Sequence, residues 1–163
     1  MKCKPRKKER KFSVTHKDEA MVRLIKETDH TLVATWAVDC ALRVLPFFKE
    51  NYPEDPRPEK AIEACRAWIQ TGIFRMADIR RASLASHAAA REAGEDSAAR
   101  SAARSAGQAV ATAHVPTHAL GAANYALQAV FRATNPADAD SAVAKERDWQ
   151  YRHLLELREK VVF

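Results

Sequence analysis

The sequence predicts an all-α protein, a compact single-domain bundle of about six or seven helices behind a basic N-terminal tail. Three observations carry that prediction. The 163 residues include only 4 glycines, and most of the 7 prolines gather in a few places that read as connections. Apolar residues recur at spacings of three and four over long stretches, the signature of one helix face turned to a core, and no stretch alternates as a half-buried strand would. Between Ala82 and Ala133, 20 of 52 residues are alanine, the strongest helix former.

Taken in order, a short helix is expected over residues 17–27. Thr28 or Asp29 is placed to cap a longer one in which Val33, Trp36, Ala37, Cys40, Ala41, Val44 and Phe48 form a single stripe. Pro46 falls inside that stripe and is expected to kink or loosen the last turn, because proline has no N–H to give. Asn51 to Pro58 carries three prolines and reads as a stiff connector. In the third helix Ile62, Cys65, Trp68 and Ile69 face one way, and Gly72 is placed to end it in a left-handed turn. The fourth spans residues 75–93 and stops at Gly94. Asp96 or Ser97 caps the fifth, which runs to about Thr112, with Ala99, Ala102, Ala103, Ala106 and Ala113 on one face and Arg100, Arg104 and Gln108 on another. Pro116 breaks the chain before a sixth helix over 117–133, closed by Asn135-Pro136. A last helix runs from about Ser141 to Glu159, with Val143, Trp149, His153, Leu154 and Leu157 inward. Leu84, Val110, Leu120, Tyr125, Leu127, Val130 and Phe131 anchor the alanine-rich stretch and argue against low-complexity disorder. The runs SLASHAAAREA and SAARSAGQAVATAH suggest a repeated hairpin, a likeness that alanine bias alone can also produce.

The net charge of +6 belongs to one end. Residues 1–11 hold seven Lys or Arg and one acid, Glu9, and the other 152 residues hold 20 of each sign. The helical body is therefore not a broad basic surface. Residues 1–14 form the tail and 15–163 the helical domain; the tail is too polar to offset its ordering entropy, so it is expected to be mobile, with weak nucleic-acid contact as its functional reading. Cys3, Cys40 and Cys65 are an odd number with no paired spacing, so no disulfide is expected. No run approaches the ~18 apolar residues of a membrane span, and the basic start is not followed by an apolar signal core, so a cytoplasmic protein without membrane contact is expected.

Chemistry-bearing residues are few. His87, His114 and His118 are metal-ligand types, and a zinc or iron site built on them is the alternative functional reading. His114 and His118 have the four-residue spacing that puts two imidazoles on one helix face, but Pro116 lies between them. Asp39, beside Cys40 in the apolar stripe, calls for a partner such as Arg66, Arg80, Arg81 or a histidine, since an unpaired buried charge is costly. Cys40 itself reads as a small hydrophobe rather than a nucleophile. No glycine-rich phosphate loop, dinucleotide fingerprint or nucleophile elbow occurs in the sequence.

Three motifs give a resemblance: W-A-x-D-C-A at Trp36 to Ala41, Y-P-E-D-x-R-P at Tyr52 to Pro58, and T-A-H-V-x-x-H-A at Thr112 to Ala119. With the alanine-rich runs and the closing helix, they resemble the small all-helical immunity proteins of bacterial polymorphic toxin systems, over about residues 28–160. The resemblance implies a non-enzymatic protein that binds one cognate toxin in the cytosol and neutralises it, with no cofactor, and it brings no catalytic residue to carry over. Within that reading Tyr52 and Arg57 are the candidate partner-binding residues, because a proline-braced loop bearing an aromatic and an arginine loses little entropy on binding. A homodimer is the default oligomer.

Overall fold

The computed structural model describes residues 11–13 and 18–161, and seven helices make up its architecture. They are α1 (Glu19–Lys26), α2 (His30–Lys49), α3 (Arg57–Thr71), α4 (Met76–Glu92), α5 (Ala98–Ala111), α6 (His118–Ala133) and α7 (Ala139–Glu159). No strand occurs among the described residues. Local chemistry sets several ends. Asp18, Asp29 and Ser97 accept backbone N–H groups at the starts of α1, α2 and α5, each at 3.1 Å. Arg57-Pro58 opens α3, where proline's missing N–H costs nothing, and Gly72, at φ 68°, ends it in the left-handed turn that favours glycine. Pro46 lies within α2 as expected, and the helix continues past it to Lys49.

α5 is the centre of the bundle, packed against α2, α3, α4 and α6. Ala99, Ala102, Ala103, Ala106 and Ala109 are buried, and so are Ser101, Ser105 and Gly107, so the helix is enclosed on most sides, with Arg100, Arg104 and Gln108 on its partly open face as the spacing expects. Small side chains let four neighbours approach at once. Apart from Val110, the large core groups come from elsewhere: Trp36, Val44 and Phe48 from α2, Ile62 from α3, Leu127 from α6 and Leu154 from α7. Hydroxyls fasten the close contacts. Ser86 on α4 donates to the Ala103 carbonyl at 2.7 Å, Ser83 to Gly107 at 2.9 Å, and Ser105 on α5 donates to Ala122 on α6 at 2.8 Å. Each satisfies a group that burial would otherwise leave without water.

The other side of the core is tied by α7. Trp36 Nε1 donates to the Gln150 carbonyl at 2.8 Å, and the fully buried Gln150 amide donates to the Ala123 carbonyl at 3.0 Å, so α2, α7 and α6 share one chain of hydrogen bonds. α2 is 20 residues long and reaches a mean hydropathy of 1.4, enough by length and composition to cross a membrane, although no uninterrupted apolar run that long exists in it. Its apolar side chains are spent on the protein core instead, with ten of them buried against neighbouring helices. Most of the sequence assigned to a mobile tail, 1–10 and 14, lies outside the described residues. Within that span Phe12 rests on Phe131 of α6, with ring centroids 5.6 Å apart.

Candidate partner-binding surface

The connector between α2 and α3 lines a shallow open depression of about 550 Å³ formed by Asn51 to Arg57. Tyr52 is half-buried and stacks on Phe48 at 5.1 Å, so its ring serves the core edge. Arg57 is held on two sides. Its guanidinium donates to Asp55 at 2.7 Å and also pairs with Glu92 at the end of α4. Those hydrogen bonds push the Arg57 pKa up and hold the Asp55 carboxyl below the usual range. Tyr52 and Arg57, the sequence candidates, thus sit together on one edge, each already engaged within the protein.

A second polar layer lies where α4 and α6 flank α5. Arg104 Nη1 donates to His87 Nδ1 at 3.0 Å, and His118 Nδ1 donates to Gln108 Oε1 at 2.9 Å. Both contacts depend on glycine. A Cβ on Gly107 would stand 2.8 Å from His87 Nε2, and one on Gly121 would stand 2.9 Å from Gln108 Oε1. Burial, reinforced by Arg104, Arg91 and His118, lowers the His87 pKa to about 4, so the ring is neutral at physiological pH. His114 is exposed in the turn before α6 and stacks against Phe74 at 6.2 Å. The three histidines therefore have three different partners, and among the described residues no group of three or more His, Cys, Asp or Glu is placed to share a metal ion.

Asp39 finds a histidine, not an arginine. His153 Nε2 meets Asp39 Oδ2 at 2.7 Å, and the imidazole stacks on Trp149 at 4.7 Å. Arg43 covers the other part of this stack, 3.9 Å from the Trp149 ring and 2.5 Å from Glu146. The set joins α2 to α7. Cys40 and Cys65 are buried, and burial raises both thiol pKa values, that of Cys65 to about 12. Neither is a thiolate poised for attack.

The surface that sequence reasoning missed is the outer face of α4 with the turn before it. Leu84, expected as a core anchor, is 58% exposed; Ile73 is 61% exposed, and Phe74 and Met76 are each 42% exposed. Met76, Ala77, Arg80, Arg81, Leu84 and Ala85 line a broad, shallow concavity of about 800 Å³. Met76, Arg80 and Leu84 share one ridge at a spacing of four, and Ala77, Arg81 and Ala85 share the next. A usable signal lay in the sequence: Ile79, Ser86, Ala90 and Ala93 mark the buried face, and Leu84, five residues after Ile79, falls about 140° away from it.

Among the described residues the molecule is thus an alanine-cored helical block with an apolar face open on α4. Over residues 23–157 the chain matches the family described as "Imm-5 like putative immunity protein", and it belongs to that family. No curated protein and no solved structure matches it.

Proposed function

We propose that this chain is a cytosolic immunity protein that binds one cognate bacterial toxin and holds it inactive by occupying its surface, without chemistry of its own. The observation that carries the reading is the family match over residues 23–157. The architecture supports it physically. A stoichiometric blocker needs a surface that does not have to order itself on binding, since every immobilised side chain subtracts from affinity. Here α5 is enclosed by four helices, and serine-to-carbonyl hydrogen bonds hold its neighbours in place. Slow release then follows from a few anchors packed in a preformed site.

The test is co-expression with the candidate toxin encoded nearest to its gene, scoring growth and then co-purification. Restored growth with a stoichiometric complex is the expected outcome. Continued killing by the toxin with this chain fully expressed and folded would overturn the proposal.

A further inference from the structure

We infer that the outer face of α4, with the 73–75 turn, is the surface that docks the toxin, and that the matching toxin surface presents an apolar projection ringed by carboxylates. The inference rests on the immunity reading above. Of the six large hydrophobic residues exposed among the described residues, four, Ile73, Phe74, Met76 and Leu84, fall in this one stretch of twelve. Clustering of this kind marks an interaction site, whereas isolated exposed hydrophobics do not. The cluster is held in shape. Gly72 turns the chain sharply after α3, Thr71 Oγ1 accepts the Ile73 N–H at 3.2 Å, and His114 stacks on Phe74 from the α5–α6 turn.

Charge fixes the kind of partner. Outside residues 1–11 the chain is balanced, yet residues 73–92 carry Arg75, Arg80, Arg81 and Arg91 against Asp78 and Glu92, and Glu92 is taken up by Arg57. All four cations are arginine, the residue enriched at interface anchors, and none is lysine. Arg81 lies 3.5 Å from Asp78 with both side chains mostly exposed, while Arg75 and Arg80 make no ion pair among the described residues. A partner with carboxylates around an apolar centre satisfies both features. A second copy of this chain fits less well, because a two-fold contact would bring this net-positive face against an identical net-positive face. A nucleic acid fits poorly as well, since phosphates would leave Ile73, Met76 and Leu84 facing charge.

The probe is the candidate toxin of that co-expression, purified and catalytically inactivated, titrated against the full chain by calorimetry. Three variants are compared: Leu84→Glu, the double Arg80→Glu/Arg81→Glu, and Tyr151→Asp as a control. Tyr151 is 37% exposed on α7, which does not pack on α4. The first two are expected to weaken binding at least 30-fold and 10-fold, the double variant also losing most of the salt dependence, and the control to stay within threefold. Circular dichroism and urea unfolding establish that each variant is folded, and Leu84→Ala repeats the test should Leu84→Glu not fold. Binding of both α4 variants within threefold of wild type would overturn this surface while leaving the immunity reading intact. Failure of the wild-type chain to bind would overturn both. A free dimer that Leu84→Glu converts to a monomer in light scattering would assign the face to a second copy and overturn the inference.

Discussion

Replacing Gly107 with alanine sets two effects of similar size against each other, and the structure says which one wins. In a helix interior alanine is favoured over glycine by ~1 kcal/mol, because glycine loses more backbone freedom on folding. At this position, however, the new methyl would lie 2.8 Å, 2.9 Å and 3.0 Å from three atoms of the His87 ring. Carbon contacts relax near ~3.5–4.0 Å, so the imidazole has to move by roughly half an ångström or more. It cannot do so freely, because Arg104 is bonded to its Nδ1 at 3.0 Å and the ring is half-buried between α4 and α5. Losing that charge-assisted bond at a partly solvated site costs about 1 kcal/mol, and crowding adds about another 1. Gly107→Ala is therefore expected to destabilise the protein by about 1 kcal/mol overall. In a His87→Ala background the obstacle is gone, and the same substitution is expected to stabilise by about 0.5–1 kcal/mol. Urea unfolding of the wild type, both single variants and the double variant measures the coupling, expected at about 1.5–2 kcal/mol. Equal effects of Gly107→Ala in both backgrounds would refute the seating of His87 on α5.

Other consequences follow from the same packing. The folded-state His87 pKa, about 4, lies below the unfolded value of about 6.5, so the unfolded chain takes up the proton first: stability is unaffected above pH 7 and falls between pH 6.5 and 4. Half-burial discounts the loss to about 1–2 kcal/mol, and His87→Gln is expected to flatten that part of the stability profile in urea unfolding at each pH. Trp36→Phe removes the donor that meets the Gln150 carbonyl at 2.8 Å inside the core and is expected to cost about 2–3 kcal/mol by thermal and urea unfolding. Cys40 and Cys65 are expected to resist a thiol reagent at pH 8 in the native protein and to react promptly in denaturant, as counted by released chromophore.

What was legible in the sequence was what local chemistry decides. The Asp29 and Ser97 caps, the Gly72 terminator and the proline-braced connector each act within a few residues, and each stands where the pattern puts it. Faces of alanine-rich helices were less legible, because alanine on every side leaves no strong inner stripe. On α5 the polar stripe of Arg100, Arg104 and Gln108 stands opposite the buried alanines as the spacing expects, but its partners lie far off in sequence: Arg100 reaches the Arg91 and Ala93 carbonyls at the end of α4, Arg104 lies along His87, and Gln108 covers Gly121. Hydrophobicity alone puts Leu84 in the core, yet it is exposed on the open face of α4. The Asp39–His153 pair joins residues 114 positions apart, a separation no local rule resolves.

An inhibition titration separates the proposed neutralisation by occupancy from neutralisation by chemistry. Purified toxin at a fixed concentration well above the dissociation constant is mixed with increasing amounts of this chain, and residual toxin activity is read at equilibrium. A linear fall that reaches zero at one molar equivalent and does not change with incubation time is the predicted result. Progressive inactivation by a small fraction of an equivalent would show turnover and contradict the claim.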